Sequence, residues 1–180
     1  MRTAVFLYSR DGLGHQVRCG ALADELRSRG WSCLDAEWMG KGAIDVLVVD
    51  YPCFYTSVPW KVVRITDIRG GYPADLTLSG RELIRPEFSA VTWTGGNGPL
   101  DIRGIVDVEA ADLAAKIATA SLVVTYGGMR AMEAVCVGAP VIVLPRNEGE
   151  RSNVEFLRGG GHIDGLGCKR AADAIERLVI

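Results

Sequence analysis

Residues 123–145 read VVTYGGMRAMEAVCVGAPVIVLP. A short, continuously apolar run, SLVVTY at 121–126, meets a pair of glycines. Residues 128–138 then read as a helix, with Gly138 placed to end it. PVIVLP at 140–145 is a second apolar run, bounded by prolines. Continuous apolar runs of this length suit strands covered on both faces. A strand, a helix and a strand in this order argue for an α/β protein with a mainly parallel sheet.

The same alternation extends outward in both directions. Upstream, Ala110, Leu113, Ala114 and Ile117 make an i, i+3, i+4, i+7 stripe, so 108–120 is a helix. NGP at 97–99 is a turn, and SAVTWTGG at 89–96 restarts the pattern after RPEF. Downstream, 150–158 reads as a short helix before GGG. Ala171, Ala174, Ile175 and Leu178 stripe a terminal helix. The beginning of the chain repeats the plan. TAVFLY (3–8) is a strand, and residues 15–29 form a helix striped by Cys19, Leu22, Ala23 and Leu26 that Gly30 ends. WSCLDAE (31–37), IDVLVVD (44–50), WKVVRITD (60–67) and ADLTLS (74–79) are further strands. No helix is legible between 51 and 90. The chain divides near residue 88 into an amino-terminal Rossmann-like half, 1–88, and a second half, 89–180. Halves this small bury a limited share of their surface. They are expected to lean on each other or on a second subunit, as in a homodimer.

Composition narrows the function classes. The 180 residues are 48% hydrophobic and 23% charged, with net charge −2, the values of an ordinary globular chain. No basic run occurs, which argues against binding duplex nucleic acid by charge alone. Of the 20 basic residues, only Lys41, Lys61, Lys116 and Lys169 are lysines. Arginine suits bidentate contact with phosphate or carboxylate, although high genomic GC content produces the same bias. Cys19, Cys33, Cys53, Cys136 and Cys168 form no CxxC and no cluster with zinc-ligand spacing. No metal site is expected, and a reducing cytoplasm is the default location. No stretch is apolar enough for a signal peptide or a membrane span.

Two strand–glycine–helix junctions carry the chemistry: YSRDGLGHQVR (8–18) and VVTYGGMRAMEAV (123–135). Glycines let a ligand approach the backbone closely. The unpaired N–H groups of a helix start favour anions, phosphate above all. The first junction is only a partial dinucleotide fingerprint. Val17 stands where a third small residue belongs, though Asp35 or Glu37 follows at the acidic position. His15 opens its helix, where it either caps the helix or takes part in chemistry. A helix N-terminus disfavours a positive ring, which suits an imidazole that accepts a proton from a hydroxyl or water. Arg18, one turn on, is either a phosphate ligand or a solvated arginine. Arg130 sits in a first helical turn, where the dipole disfavours a cation, so an anion there would compensate it. Glu133 is either an exposed helix carboxylate or an acceptor for ribose hydroxyls. Glu150 and Asn153, in the loop after Pro145, either bond sugar hydroxyls or start a helix. Asp50 and Asp67 end strands on the edge where α/β sheets bind ligands. His162 has no evident partner.

Several segments together resemble a known family. GLGHQVRCGALADELRSRGW is similar to the amino-terminal signature of the UDP-sugar hydrolase of pseudaminic acid biosynthesis, a G-x-G-H-x-x-R run. SGRELIRPEF resembles that family's G-P-x-Y-x-x-L-R-P-E-F segment, with Arg81 and Glu82 departing from it. TYGGMRAMEAVCVGAPVIVLP resembles its A-G-G-x-x-x-W-E-x-x-x-x-G-x-P segment. It is equally similar to the donor-site signature of the lipid-linked N-acetylglucosaminyltransferase of peptidoglycan synthesis. Where the family continues Gln-x-x-Asn-Ala, this chain has Glu150, Arg151, Ser152, Asn153 and Val154. The chain is shorter than its relatives. It also lacks a strand–helix block, between TWTGG and IVDVE, that helps them hold uracil.

The resemblance implies a GT-B-like fold, two small Rossmann-like domains facing across a cleft. It implies a nucleotide diphosphate bound mainly by the second domain, with no metal or other cofactor required. On that basis Gly127, Gly128 and Met129 offer N–H groups to the diphosphate, with Arg130 beside them. Glu133 holds the ribose, and Glu150 and Asn153 meet the donor sugar. His15 is the catalytic base, with Gly14 close to the sugar phosphate and Arg18, Asp50 and Asp67 in support. The expected activity is inverting glycosyl transfer from a UDP-sugar. The alternatives are a UDP-sugar hydrolase, with water as acceptor, and a non-catalytic nucleotide-binding protein. The acceptor is open, a small metabolite or a modified nucleic-acid base, and no amphipathic basic helix points to a membrane.

Overall fold

In the computed structural model the described residues are 1–9, 13–39, 41–51, 58–66, 73–105 and 109–179. The chain divides into two compact units, Met1–Leu83 with Cys168–Ile180, and Ile84–Gly167. Both are built on parallel sheets with helices, an α/β plan. Among the described residues no helix is long and apolar enough to cross a membrane.

The first unit holds strands β1 (Thr3–Tyr8), β2 (Ser32–Asp35), β3 (Val46–Asp50), β4 (Lys61–Ile65) and β5 (Leu76–Leu78), and helix α1 (Leu13–Ser28). The strands form one parallel sheet in the order β2-β1-β3-β4-β5. All five residues of β3 are buried. Their period-2 alternation sends Val46 and Val48 to one core, with Ala4 and Phe6 of β1, and Leu47 and Val49 to another, with Val5. That is the physical meaning of an unbroken apolar run: both faces are covered. The α1 stripe of Cys19, Leu22, Ala23 and Leu26 is buried as expected, and Gly30 follows the helix in the left-handed region (φ 83°). The helix begins two residues earlier than its expected start, so Gly14 lies within the first turn and not before it.

The terminal helix settles in this first unit. Helix α6 (Gly167–Leu178) buries Ala171, Ala172 and Ile175 in the core that contains Leu22 and Leu26. Arg29 fixes it, pairing with Asp173 (2.5 Å) and Glu176 (3.0 Å) while also holding Glu25 on α1 (2.8 Å). Trp31 Nε1 donates to Glu176 (3.3 Å), and Arg170 donates to Glu82 (2.8 Å). The sequence division at residue 88, with 89–180 as a second half, does not follow this return of the chain. The stripe marks α6 as amphipathic but says nothing of which sheet it will cover.

The second unit contains helix α2 (Pro86–Ser89), β6 (Leu100–Asp101), α3 (Ala110–Thr119), β7 (Val123–Thr125), α4 (Met129–Val137), β8 (Val141–Val143) and α5 (Glu148–Arg158). Its parallel sheet runs β6-β7-β8. Ile84, Phe88, Leu113, Ile117, Val123, Met132 and Ile163 are among its core residues. The strands are shorter than the apolar runs that announce them. SAVTWTGG does not enter the sheet. The Trp93, Thr94 and Asn97 N–H groups donate to Val137, Ala118 and Thr119 carbonyls at the ends of α4 and α3. Those carbonyls lack intrahelical partners, so the segment caps two helices instead of extending the sheet. The two-residue β6 and the single-turn α2 are too short to give a periodic signal.

Candidate functional site

The first cluster lies in the first unit, at the carboxyl ends of β1 and β3. In a sheet of order 2-1-3-4-5 the connections reverse between these two strands, and the crevice at that point is where such sheets bind ligands. Tyr8 and Asp50 are paired across the two strand ends. Helix α1 starts just beyond β1, and its positions 15, 18 and 19 share one face at i, i+3 and i+4. All three side chains meet Asp50. Arg18 donates to Asp50 through Nε (2.5 Å) and Nη2 (2.6 Å). His15 Nδ1 is 2.9 Å from Asp50 Oδ1, and Cys19 Sγ is 3.7 Å from Oδ2.

Asp50 is only 2% exposed. Burial pushes its carboxyl up, but hydrogen bonds from His15 and Arg18, with the Arg18 charge, outweigh burial and hold it below the usual carboxylate value. An ionised carboxylate at 2.9 Å demands a proton on Nδ1, because a lone pair there would be repelled. Arg18 Nη2 also lies 3.1 Å from Nδ1, but the Asp50 carboxylate is the closer group and favours a proton on that nitrogen. In the neutral tautomer with that proton, Nε2 carries the lone pair. His15 is half-buried, so its ring is accessible to a reactant. The Cys19 thiol is pushed up, first by burial and then by the Asp50 charge, and stays protonated. Cys168 is likewise pushed up by burial, to about 12. Asp67 lies outside the described residues, as do Asp11 and Gly12 of the first glycine junction.

The second cluster lies in the second unit, where β7 and β8 end. Gly127 and Gly128 link β7 to α4. A Cβ on Gly127 would lie 2.7 Å from both the Cβ and the carbonyl oxygen of Glu150. Only glycine lets the start of α5 come this close. Asn153 Nδ2 donates to the Gly127 carbonyl (2.7 Å), and Asn147 Oδ1 caps α5 by accepting from the Glu150 N–H (2.9 Å). Glu150 is buried. It accepts from the Arg146 N–H (2.7 Å) and Nη2 (2.8 Å) and from the backbone at Gly127. Burial pushes its carboxyl up, but hydrogen bonds from Arg146 outweigh burial and hold it below its usual value. The Arg146 guanidinium stacks over the Tyr126 ring, 4.0 Å from its centre.

Gly128 is the N-cap of α4 and supplies no side-chain cap. The first-turn N–H groups of Met129 and Arg130 have no intrahelical partner by position, and the helix field there favours an anion. One turn on, Glu133 is completely buried, so it is not the exposed helix carboxylate of the alternative sequence reading. Its Oε2 accepts from Arg130 Nη1 (2.9 Å) and its Oε1 from Arg85 Nε (2.8 Å). In this conformation a ribose reaches Glu133 only if an arginine moves. Among the described residues no group of three or more His, Cys, Asp and Glu is arranged to hold a metal ion.

The structure thus joins His15, Arg18 and Asp50 in one cluster. It places Gly127, Gly128, Met129, Arg130, Glu133, Glu150 and Asn153 together around the β7–α4 junction. Three residues at these sites carried no sequence signal as site residues: Arg85, Tyr126 and Arg146. Arg85 stood within the quoted RPEF segment, but its partner is 48 positions away. The chain matches no protein-family model, no curated protein and no solved structure.

Proposed function

We propose that the protein is an inverting glycosyltransferase of GT-B type that uses a nucleoside-diphosphate sugar, with uridine the first nucleoside to test. The observation that supports this most is the His15–Asp50 pair, held by Arg18 at the ligand edge of a parallel sheet. His15 Nε2 takes the proton of an acceptor hydroxyl as that oxygen attacks the anomeric carbon. The bond from that carbon to the diphosphate oxygen breaks, and the electron pair leaves with the nucleoside diphosphate. The start of α4 and Arg130 receive the developing negative charge. Glu133 takes the ribose, and Glu150 and Asn153 meet the donor sugar. This reading requires the two units to close on one donor, the arrangement that the sequence resemblance implies. The acceptor class is a small metabolite or a modified nucleic-acid base.

Turnover of UDP-sugars by wild type and His15→Ala tests the assignment. Loss of a positioned base lowers turnover by about 10²–10⁴-fold; full activity in H15A removes His15 from the mechanism. Incubation without an acceptor separates the two chemistries of the same base. Stoichiometric sugar release identifies water as the acceptor and a hydrolase; slow leakage identifies a transferase. Thermal stabilisation by NAD alone would sink the nucleotide-sugar reading.

A further inference from the structure

In the second unit two guanidinium groups converge on one buried carboxylate. Arg85 Nε donates to Glu133 Oε1 and Arg130 Nη1 to Oε2, at 2.8 and 2.9 Å. The three groups carry one positive charge in excess. Arg85 also keeps a buried Nη2 without a hydrogen-bond partner. Both arginines are partly exposed, and a surplus of positive charge beside a buried carboxylate favours an added anion.

The two arginines are not held alike. Arg85 precedes α2 and is stacked on Phe88, its guanidinium carbon 4.8 Å from the ring centre. Phe88 is completely buried, so Arg85 is wedged in place. Arg130 lies in the first turn of α4, where the helix field opposes its charge. Its long stem can swing the guanidinium from Glu133 toward an anion at the helix start without moving the backbone. Arg85 would stay behind to neutralise Glu133.

We propose that Arg130 is an exchange residue. In the free protein it occupies Glu133 Oε2. When a diphosphate arrives at the start of α4, Arg130 moves to it and frees Oε2 to accept a ribose hydroxyl, while Arg85 keeps Oε1. The Arg85–Glu133 pair that remains is neutral, and Arg130 offsets part of the diphosphate's negative charge. Phosphate and ribose recognition are thereby coupled, and the site selects a nucleoside diphosphate against the nucleoside, which must compete with Arg130 for Oε2. The inference rests on reading this unit as the donor site.

Calorimetric binding of uridine and uridine diphosphate to wild type, Arg130→Ala and Arg130→Gln tests it, with adenosine and its diphosphate in parallel. R130A loses a charged phosphate contact, so its diphosphate affinity falls about tenfold, while its nucleoside affinity rises. In R130Q the amide still bonds Glu133 Oε2, so diphosphate affinity falls and nucleoside affinity does not rise. Two results in R130A overturn the exchange alone: equal losses for nucleoside and diphosphate, or an unchanged diphosphate affinity. Wild-type protein that binds none of these nucleotides overturns the donor-site reading itself, and the exchange with it.

Discussion

Replacing Asp50 by Asn tests the first cluster at its centre. The carboxylate accepts two hydrogen bonds from Arg18, at 2.5 and 2.6 Å, and meets His15 Nδ1 at 2.9 Å. An amide of the same shape has one acceptor oxygen and turns its NH2 donors toward Arg18 or His15. It also removes the carboxylate that pairs with the Arg18 guanidinium, itself mostly buried. Breaking a buried ion pair from one side costs roughly 3–5 kcal/mol, and the partial exposure of His15 argues for the lower end, about 3 kcal/mol. At roughly 2–4 °C per kcal/mol for a chain of this length, the melting temperature drops by about 6–12 °C. Circular dichroism melts at neutral pH of wild type, D50N, Arg18→Met and the double variant measure this. The double variant removes both charges of the pair, so it should be more stable than the two single losses summed would make it, by about 1–2 kcal/mol.

The pH dependence has a defined sign. The folded-state pKa of Asp50 lies below its unfolded value, so its stabilisation is complete above the unfolded pKa of about 4. It is lost as the pH falls through the lower folded value. The wild-type curve should therefore drop more steeply below about pH 4 than that of D50N. A melting temperature for D50N within about 2 °C of wild type, strictly additive losses, or equal acid slopes would refute the reasoning. On the proposed mechanism, turnover by D50N that is still folded should fall too, since an amide that donates to Nδ1 moves the ring proton to Nε2 and removes the proposed base.

Two further predictions concern the other packing contacts. Gly127→Ala puts a methyl 2.7 Å from the backbone oxygen of Glu150, which cannot turn aside as a side-chain tip would. It should cost about 1–3 kcal/mol in a urea titration and, on the proposed function, weaken nucleotide binding; unchanged stability would show that α5 moves freely away from the glycine turn. Arg29→Ala removes the tie between α1 and α6. With Arg29 partly solvated, the loss should be about 1 kcal/mol. Amide exchange in residues 168–178 should quicken while β1 and β3 stay protected; equal protection of α6 in the variant would mean that apolar burial alone holds the helix.

The strands and helices with strong periodicity were legible because one physical rule fixes them. β1 and β3 are apolar without interruption, since both their faces are covered. The α1 and α3 stripes recur with the helical period; all of the first is buried, and so are Leu113, Ala114 and Ile117 of the second, with Ala110 partly buried. The glycine junction at 127–128 was legible as a place of close approach, although the group that approaches, Glu150, was not. Where capping decides the outcome, the apolar pattern misleads. TWTGG reads like a strand, yet its N–H groups satisfy helix-end carbonyls.

Sequence alone determined the α/β class, the glycine junction at 127–128, and the placing of His15 near a helix start and Asp50 at a strand end. Each follows from neighbours within a turn or a strand. Tertiary structure alone decided the partnerships: Asp50 with Arg18 across 32 positions, Glu133 with Arg85 across 48, and α6 with Arg29 across 144. A carboxylate reads the same in sequence whether solvent or a guanidinium surrounds it. Burial makes the difference, and burial depends on which surfaces meet when the chain closes on itself.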